Sequence, residues 1–468
     1  MRRAIFILTA AVSVLFASAA ASAQDWQDRA FYQDASNTLK AREIPKVLIL
    51  GDSITQLWMQ THPYFFFDNG FFSRGISGQT SAHTLLRFRE EFIDTGADVA
   101  VILIGANDVA RNAGPISLEH IAGNIESVCE LALAHKIKPI LCSVLPAKSF
   151  YWRKDDDVRP DRDIPILNEM LRKYAKKNKI TFVDIYPHMV DNAKGNENGM
   201  LPQYTSDGVH PNSAGYGVME SVLLPELQKI TEKLRKPQKF DLRLMSYNVH
   251  NGIGTDGITH YRRVASVIGD YAPDAVAIQE VDSVTTRSKS MEVLQQLAKH
   301  SGYHYTFASS IDFQGGRYGI GILSRQAPLS IKKTHLPGSE EARVLLIAEF
   351  EDYYFCCTHL SLREKDRLES LEIILAEMEK LNKGKDIFLS GDFNATPDSK
   401  LIKKMKEHFD FVSDTKANTF PSGKPEDTID YIVRYKAAGQ KFVPVSSEVP
   451  QASVASDHRP VFCGLNKQ

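Results

Sequence analysis

The strand pattern of this chain changes once along its length, and that change limits what it can fold into. Up to about Lys233, short apolar runs such as Val47–Leu50, Val99–Ile104 and Pro139–Val144 alternate with helix-like stretches such as Ser117–His135 and Ile164–Lys177. Parallel strands need a crossover connection, usually a helix, so the alternation predicts an α/β domain on a mostly parallel sheet. The helix-like Glu220–Leu234 is followed by Lys236-Pro237-Gln238-Lys239, a polar break containing a proline, and a new strand pattern starts at Phe240. From there strands recur in pairs, as in Val344–Phe350 and Tyr354–Leu360, with fewer helices between them, which predicts a strand-rich α/β sandwich. At 468 residues the chain exceeds one ordinary core, given roughly 100 to 200 residues per domain. The expected division is 24–235 and 240–468, joined by a short linker at 236–239 that limits how far the halves separate.

Residues 1–23 read as a signal peptide: Arg2 and Arg3 precede an apolar run from Ala4 to about Phe16, and Ala21-Ser22-Ala23 offers small residues for cleavage before Gln24. The alternative, a membrane anchor, is disfavoured because the run is shorter than the roughly 20 residues a span needs. A periplasmic or secreted protein is expected, with no transmembrane segment after cleavage. The five cysteines cannot all pair within the chain, and Cys142, Cys356 and Cys357 sit in strand-like apolar runs, so buried free thiols are expected. Lys plus Arg (56) nearly cancels Asp plus Glu (57), without the basic excess that accompanies non-specific nucleic-acid binding.

The run Val47–Leu50 ends directly in Gly51-Asp52-Ser53-Ile54-Thr55. A nucleophilic serine needs a sharp strand-to-helix turn that exposes its hydroxyl while backbone N–H groups face the developing oxyanion, and Gly51 and Ser53 suit that need. Arg74-Gly75-Ile76-Ser77-Gly78-Gln79-Thr80 offers a glycine N–H, and Ile104-Gly105-Ala106-Asn107-Asp108 puts an amide at another strand end. In Asp207-Gly208-Val209-His210-Pro211-Asn212 a carboxylate precedes a histidine by three residues, close enough to orient the imidazole as it takes the serine proton.

Together these segments resemble the SGNH (GDSL) family of serine hydrolases from about Pro45 to Leu227. The resemblance implies a flavodoxin-like α/β/α three-layer fold and a carboxylic-ester hydrolase that needs no cofactor. It makes Ser53 the nucleophile, the Ser53 N–H, Gly78 N–H and Asn107 side chain the oxyanion hole, His210 the base and Asp207 its support. Cys142-Ser143-Val144-Leu145-Pro146-Ala147 and Trp152 are similar to the acylhydrolase branch related to platelet-activating-factor acetylhydrolases, which acts on small acyl groups, often acetyl, carried by sugars or lipids. Ser73 departs from the Asn that many relatives carry before the Arg-Gly pair.

In the second half, Asn248 and Glu280 close the apolar runs Leu242–Asn248 and Ala275–Glu280, and Thr358-His359-Leu360 closes another. Asp392 and Asn394 follow Ile387-Phe388-Leu389 with the spacing of one strand face, and Ile429-Asp430-Tyr431 and Ser456-Asp457-His458 complete the set. Hard oxygen ligands without cysteine suit Mg²⁺ or Mn²⁺, and histidines beside such a cation suit phosphate chemistry.

These motifs resemble the endonuclease/exonuclease/phosphatase superfamily from about Phe240 to Leu465, which implies a four-layer α/β sandwich. The resemblance makes Glu280 the main metal ligand, aided by Asn248 and Asp457. It assigns His458 to the attacking water, Asp430 to orienting it, Asp392 and Asn394 to aligning nucleophile and phosphate, and His359 to the phosphoryl oxygens. Arg287, Tyr318 and His250 are weaker candidates for substrate contact. The superfamily includes nucleases and phospholipid and inositol-phosphate hydrolases, so the substrate stays open. Small-molecule, lipid or glycan esters are favoured over nucleic acid by the balanced charge and the export signal. Two alternatives stay beside a bifunctional hydrolase: an exported nuclease with an accessory esterase, and a chain in which one domain only binds.

Overall fold

The computed structural model describes residues 31–153, 157–234 and 238–468; the expected signal peptide and linker residues 236 and 237 lie outside them. The first half holds β1 (Val47–Gly51), β2 (Phe71–Gly75), β3 (Val99–Leu103), β4 (Lys138–Cys142) and β5 (Thr181–Val183). They form one sheet in the order β2-β1-β3-β4-β5, each neighbouring pair parallel, which is the flavodoxin-like order. Val47, Ile49, Val99 and Val101 enter one apolar cluster, and Leu48, Leu50, Ala100 and Ile102 another. Both faces of the sheet are therefore covered, which is why its strands read as continuous apolar runs. A small hairpin-like pair, β6 (Val190–Asp191) and β7 (Gly199–Met200), follows.

One helix starts earlier than its pattern predicts. It runs Ser213–Thr231, with the Asn212 side chain accepting from Gly215 N at 3.1 Å, where the sequence suggested a start at Glu220. Gly215, Gly217 and Pro225 weaken its intrinsic propensity. Burial of Tyr216, Met219 and Leu223 against the sheet supplies what propensity lacks.

The second half contains two six-stranded sheets. β8 (Leu242–Asn248), β9 (Ala275–Ser283), β10 (His304–Phe313), β11 (Gly316–Ser324), β18 (Phe442–Glu448) and β19 (Val461–Lys467) lie in the order β10-β11-β9-β8-β19-β18. β12 (Ser330–Leu336), β13 (Arg343–Glu349), β14 (Tyr353–His359), β15 (Asp386–Asp392), β16 (Phe409–Phe411) and β17 (Asp430–Tyr435) lie in the order β12-β13-β14-β15-β17-β16. Leu244, Ala277 and Ile322 of one sheet meet Leu346, Phe355 and Phe388 of the other in a shared core. Alternate residues point outward: Met245, Val276 and Ile278 pack with Val264, Val267 and Leu294, and Leu345, Cys356 and Leu389 pack with Leu371, Ile374 and Leu401. Period-two alternation thus builds helix, sheet, sheet and helix layers. All five cysteines are free and buried. Among the described residues no helix is long and apolar enough to cross a membrane.

The two halves share an interior. One apolar cluster contains Val47, Ile49 and Trp58 from the first and Met245, Val264 and Leu297 from the second, and the Phe67 and Tyr303 rings meet at 5.6 Å. Within this contact Arg74 of β2 donates to Asp270 Oδ1 at 3.1 Å and Oδ2 at 2.8 Å, their side chains 0% and 6% exposed. Arg74→Met is expected to lower stability by about 3–5 kcal/mol, because it leaves a buried carboxylate without its main partner. Urea unfolding followed by tryptophan fluorescence measures this, and a loss well under 1 kcal/mol would show that Asp270 is satisfied without Arg74.

Candidate active sites

β1 ends at Gly51, and Asp52 caps the helix Ser53–Thr61 by accepting from Ile54 N at 2.9 Å. Only glycine fits at 51: a Cβ there would lie 2.0 Å from Thr55 Oγ1 and 2.8 Å from the Leu103 carbonyl. The turn sets Ser53 at the first helical position, with its Oγ 2.9 Å from His210 Nε2. His210 Nδ1 lies 2.7 Å from Asp207 Oδ2, and Asp207 Oδ1 accepts from Val209 N at 2.9 Å and His210 N at 2.8 Å. One carboxylate thus holds both the imidazole and the turn beneath it. Partial burial alone would raise the Asp207 pKa, but the hydrogen bonds from His210 and Val209 outweigh it and hold the carboxyl below its ordinary value. The Trp152 ring lies over His210 with centroids 6.4 Å apart.

Asn107 is buried in the short helix Ala106–Val109 after β3. Its Nδ2 donates to Asp52 Oδ2 and to the Gln79 carbonyl, each at 3.1 Å, and its Oδ1 accepts from Asn112 Nδ2. Gly78 adopts φ +81°, and a Cβ there would meet nothing within 4 Å, so open space adjoins its backbone. The loop carrying Gly78 is anchored on the serine helix by Ser77 N donating to Gln56 Oε1 at 2.9 Å.

Two residues of this site had no assigned part in the sequence reading. Asp52 lies inside the serine pentapeptide, and burial pushes its pKa to about 6 despite the opposing Ile54 N–H and the nearby His210. Arg87, buried in the helix Ser81–Phe88, donates from Nη2 to the Gly51 and Arg74 carbonyls at 3.0 and 2.8 Å, and from Nε to Gln79 Oε1 at 2.6 Å. One guanidinium therefore ties together the ends of β1 and β2 and the Gly78 loop. An arginine in a helix carries no local sign of such a role.

In the second half, strand register gathers the candidates. His359, the last residue of β14, pairs with Asp392, the last of β15, and Asp392 pairs with Asp430, the first of β17. His458 Nδ1 lies 2.9 Å from Asp430 Oδ2, which also accepts from Thr419 Oγ1 at 2.6 Å. Asp392 Oδ2 lies 3.5 Å from His359 Nε2 and 3.7 Å from His458 Nε2. From the facing sheet, Asn248 Nδ2 donates to Glu280 Oε1 at 2.9 Å and to Asp392 Oδ2 at 3.2 Å.

Glu280 owes its direction to a β-bulge. Val281 pairs with Gly319 and Ile278 with Gly321, so Gln279 and Glu280 together face Ile320, and Glu280 takes φ +59°.

Two candidates are placed differently from their pattern. Asn394 does not share a strand face with Asp392, because β15 ends at Asp392, whose Oδ1 accepts from Asn394 N at 2.9 Å and turns the chain to φ +46°. The Asn394 amide donates to the Leu360 carbonyl at 2.9 Å. Among the described residues no hydrogen bond or ion pair joins Asp457 to Asn248 or Glu280; its carboxylate lies 3.9 Å from His250 Nδ1 and accepts from Ser456 Oγ at 3.3 Å. Of the weaker candidates, Arg287 is engaged by Asp282, at 2.8 and 2.9 Å, and stacks over Phe313 and Tyr318.

Burial pushes the His359 pKa down to about 4. Burial acts the same way on His458, but Asp430, Asp392 and Asp457 outweigh it and hold that imidazole up at about 10. Asp392 is raised by burial and by the neighbouring Asp430. A ligand atom from each of Asp392, Asp430 and His458 lies within 4.8 Å of the others, and Asp430 Oδ1 is buried with no hydrogen-bond partner. Carboxylate oxygens in excess and an unsatisfied buried oxygen fit a hard divalent cation.

The GDSL-like lipase/acylhydrolase family model matches residues 49–218, and the endonuclease/exonuclease/phosphatase family model matches residues 245–458. A GDSL-like lipase from Bacteroides thetaiotaomicron is 43% identical, over 43% of this chain and 99% of that one, with a TM-score of 0.40. Endonuclease/exonuclease/phosphatase proteins from Beutenbergia cavernae and Bacteroides vulgatus are 23% and 19% identical, over 49% of this chain and 72% and 100% of theirs, with TM-scores of 0.41 and 0.42. No curated protein matches the chain. The family models thus find a GDSL-like lipase/acylhydrolase domain at residues 49–218 and an endonuclease/exonuclease/phosphatase domain at residues 245–458, both families of ester-bond hydrolases.

Proposed function

We propose that the chain is an exported bifunctional hydrolase. Residues 24–235 cleave carboxylic esters of small acyl groups such as acetyl, and residues 240–468 cleave phosphodiesters or phosphomonoesters with Mg²⁺ or Mn²⁺. The favoured substrate is an acylated phospholipid or phosphoglycan met in the periplasm or outside the cell. The observation that carries this reading is the Ser53–His210–Asp207 relay, at 2.9 and 2.7 Å, on one chain with the buried Asp392, Asp430 and His458 cluster.

In the first site Ser53 Oγ attacks the ester carbonyl, His210 Nε2 accepts its proton, and Asp207 holds the imidazole through Nδ1–H. The Ser53 and Gly78 N–H groups meet the oxyanion. Both Asn107 Nδ2 hydrogens are engaged, by Asp52 and Gln79, so the substrate oxygen competes with Gln79 or Asp52 for one of them. Asp52 and Arg87 position these donors.

In the second site Glu280 and Asn248, with Asp457, would hold the cation beside the Asp392, Asp430 and His458 cluster that Asn248 adjoins through Asp392, and when bound it would neutralise nonbridging phosphoryl oxygens. His458, oriented by Asp430, holds the proton of the attacking water at Nε2. Asp392 and Asn394 align the nucleophile and phosphate, and His359 faces the phosphoryl oxygens.

The purified protein is expected to release p-nitrophenol from p-nitrophenyl acetate in EDTA, and from bis(p-nitrophenyl) phosphate or p-nitrophenyl phosphate only when Mg²⁺ or Mn²⁺ is restored. Ester turnover that needs the metal, or phosphoester turnover that persists in EDTA, contradicts the division of labour. Cleavage of plasmid or single-stranded DNA under the same conditions, faster than that of lipid or glycan phosphoesters, would favour an exported nuclease.

A further inference from the structure

The loop that carries Asp457 and His458 is held by a residue from near the other end of the chain. Asp34, in the first turn of the helix Gln33–Lys40, is fully buried. Its carboxylate accepts from three successive backbone N–H groups: Oδ1 from Ser453 at 3.1 Å, Oδ2 from Val454 at 3.1 Å, and Oδ2 from Ala455. Consecutive N–H groups converging on an anion form a concave nest, and here the anion is a side chain of the first half. The carbonyl side of the loop is tied separately. Thr255 N donates to the Val454 carbonyl at 2.9 Å, and Ser422 Oγ donates to the Ser453 and Ser456 carbonyls at 3.1 and 2.6 Å. Ser456 Oγ then donates to the Asn248 carbonyl at 2.7 Å, directly before Asp457 and His458.

The segment bearing Asp34 is anchored at both domains. Tyr32 Oη donates to the Gly75 carbonyl at 3.0 Å, at the end of β2 and just before the Gly78 loop. Ser266 Oγ donates to the Phe31 carbonyl at 3.2 Å, and Arg42 Nη1 donates to the Asp270 carbonyl at 2.9 Å. A single residue, Gln33, thus separates a contact on the esterase sheet from one on the phosphoesterase loop.

We propose that Asp34 is a positioning residue of the phosphoesterase site, fixing the 453–458 loop so that Asp457 and His458 point at the substrate. The first half of the chain then completes the second active site as well as carrying its own. This rests on the phosphoesterase reading above.

The test uses full-length Asp34→Ala and Asp34→Asn, the latter keeping the side-chain shape. Each preparation is assayed on bis(p-nitrophenyl) phosphate with Mg²⁺ and on p-nitrophenyl acetate, and amide hydrogen exchange is followed across 453–458. Loss of a residue that orients catalytic groups is expected to lower the phosphodiester kcat by about 10- to 100-fold. KM and ester turnover should stay unchanged, and exchange at Ser453, Val454 and Ala455 should accelerate. An unchanged phosphodiester kcat in both variants, or an equal loss of ester turnover in both, overturns the proposal. If the wild-type protein turns over no phosphoester, the functional reading fails and exchange alone decides: faster exchange supports the positioning role, and unchanged protection in both variants overturns it.

Discussion

Ser53→Ala is expected to lower kcat for p-nitrophenyl acetate by about 10³-fold or more, while Mg²⁺-dependent phosphoester turnover stays at the wild-type level. Removing the nucleophile leaves only substrate binding and the oxyanion donors, and in triads whose members act as a unit such losses are large and non-additive. His210→Gln should therefore cost about as much, and the double variant little more. The geometry behind this is the 2.9 Å contact from Ser53 Oγ to His210 Nε2. A fall of less than about 10-fold for Ser53→Ala would mean that another group attacks the ester. The phosphoester assay on the same preparation serves as the folding control.

His458→Gln is expected to remove about 10²- to 10⁴-fold of phosphoester kcat, the usual contribution of a positioned proton-transfer group, with ester hydrolysis intact. His458 is buried and sits 2.9 Å from Asp430 and 3.7 Å from Asp392, carboxylates that raise its basicity. Removing it leaves Asp430 with only the Thr419 hydroxyl, so the variant also loses stability. Asp430→Asn separates the two effects, because it keeps the shape but withdraws the charge that raises the basicity of the imidazole. Both variants should lose turnover while ester hydrolysis certifies the fold. Near wild-type phosphoester rates in His458→Gln would remove His458 from proton transfer and leave the chemistry to the cation and the Asp392 carboxylate.

Much of each site was legible in the sequence because the sheets bring strand ends to common edges. A parallel sheet places the residues after β1 and β3 side by side, so a serine and an asparagine at those ends belong to one cleft. The pairings of His359 with Asp392 and of Asp392 with Asp430 do the same between β14, β15 and β17. Asp207 and His210 sit three residues apart, so their relation is local. These features depend on apolar runs and the polar residues that end them, which are properties of short segments.

What only the tertiary structure decided involves contacts between distant residues or exceptions to regular backbone. The Asn394 position followed from an extended strand, and an Asx turn at Asp392 ended that strand first. Glu280 reads as an ordinary strand terminus, yet a bulge and a positive φ aim it at Asn248. Arg74 and Asp34 look like solvated charges with no partner nearby in sequence, and Arg87 like half of an ordinary i,i+4 pair with Glu91, because burying a charge is costly. Their partners are carbonyls at two strand ends, an aspartate 196 residues away, and N–H groups about 420 residues away. The sequence by itself determined two α/β domains and the strand ends where polar chemistry gathers, since these follow from local hydrophobic period and turn residues. The packing of the halves alone decided that Arg74 is desolvated against Asp270 and that Asp34 reaches the His458 loop, because a buried charge is tolerated only where the fold delivers its partners.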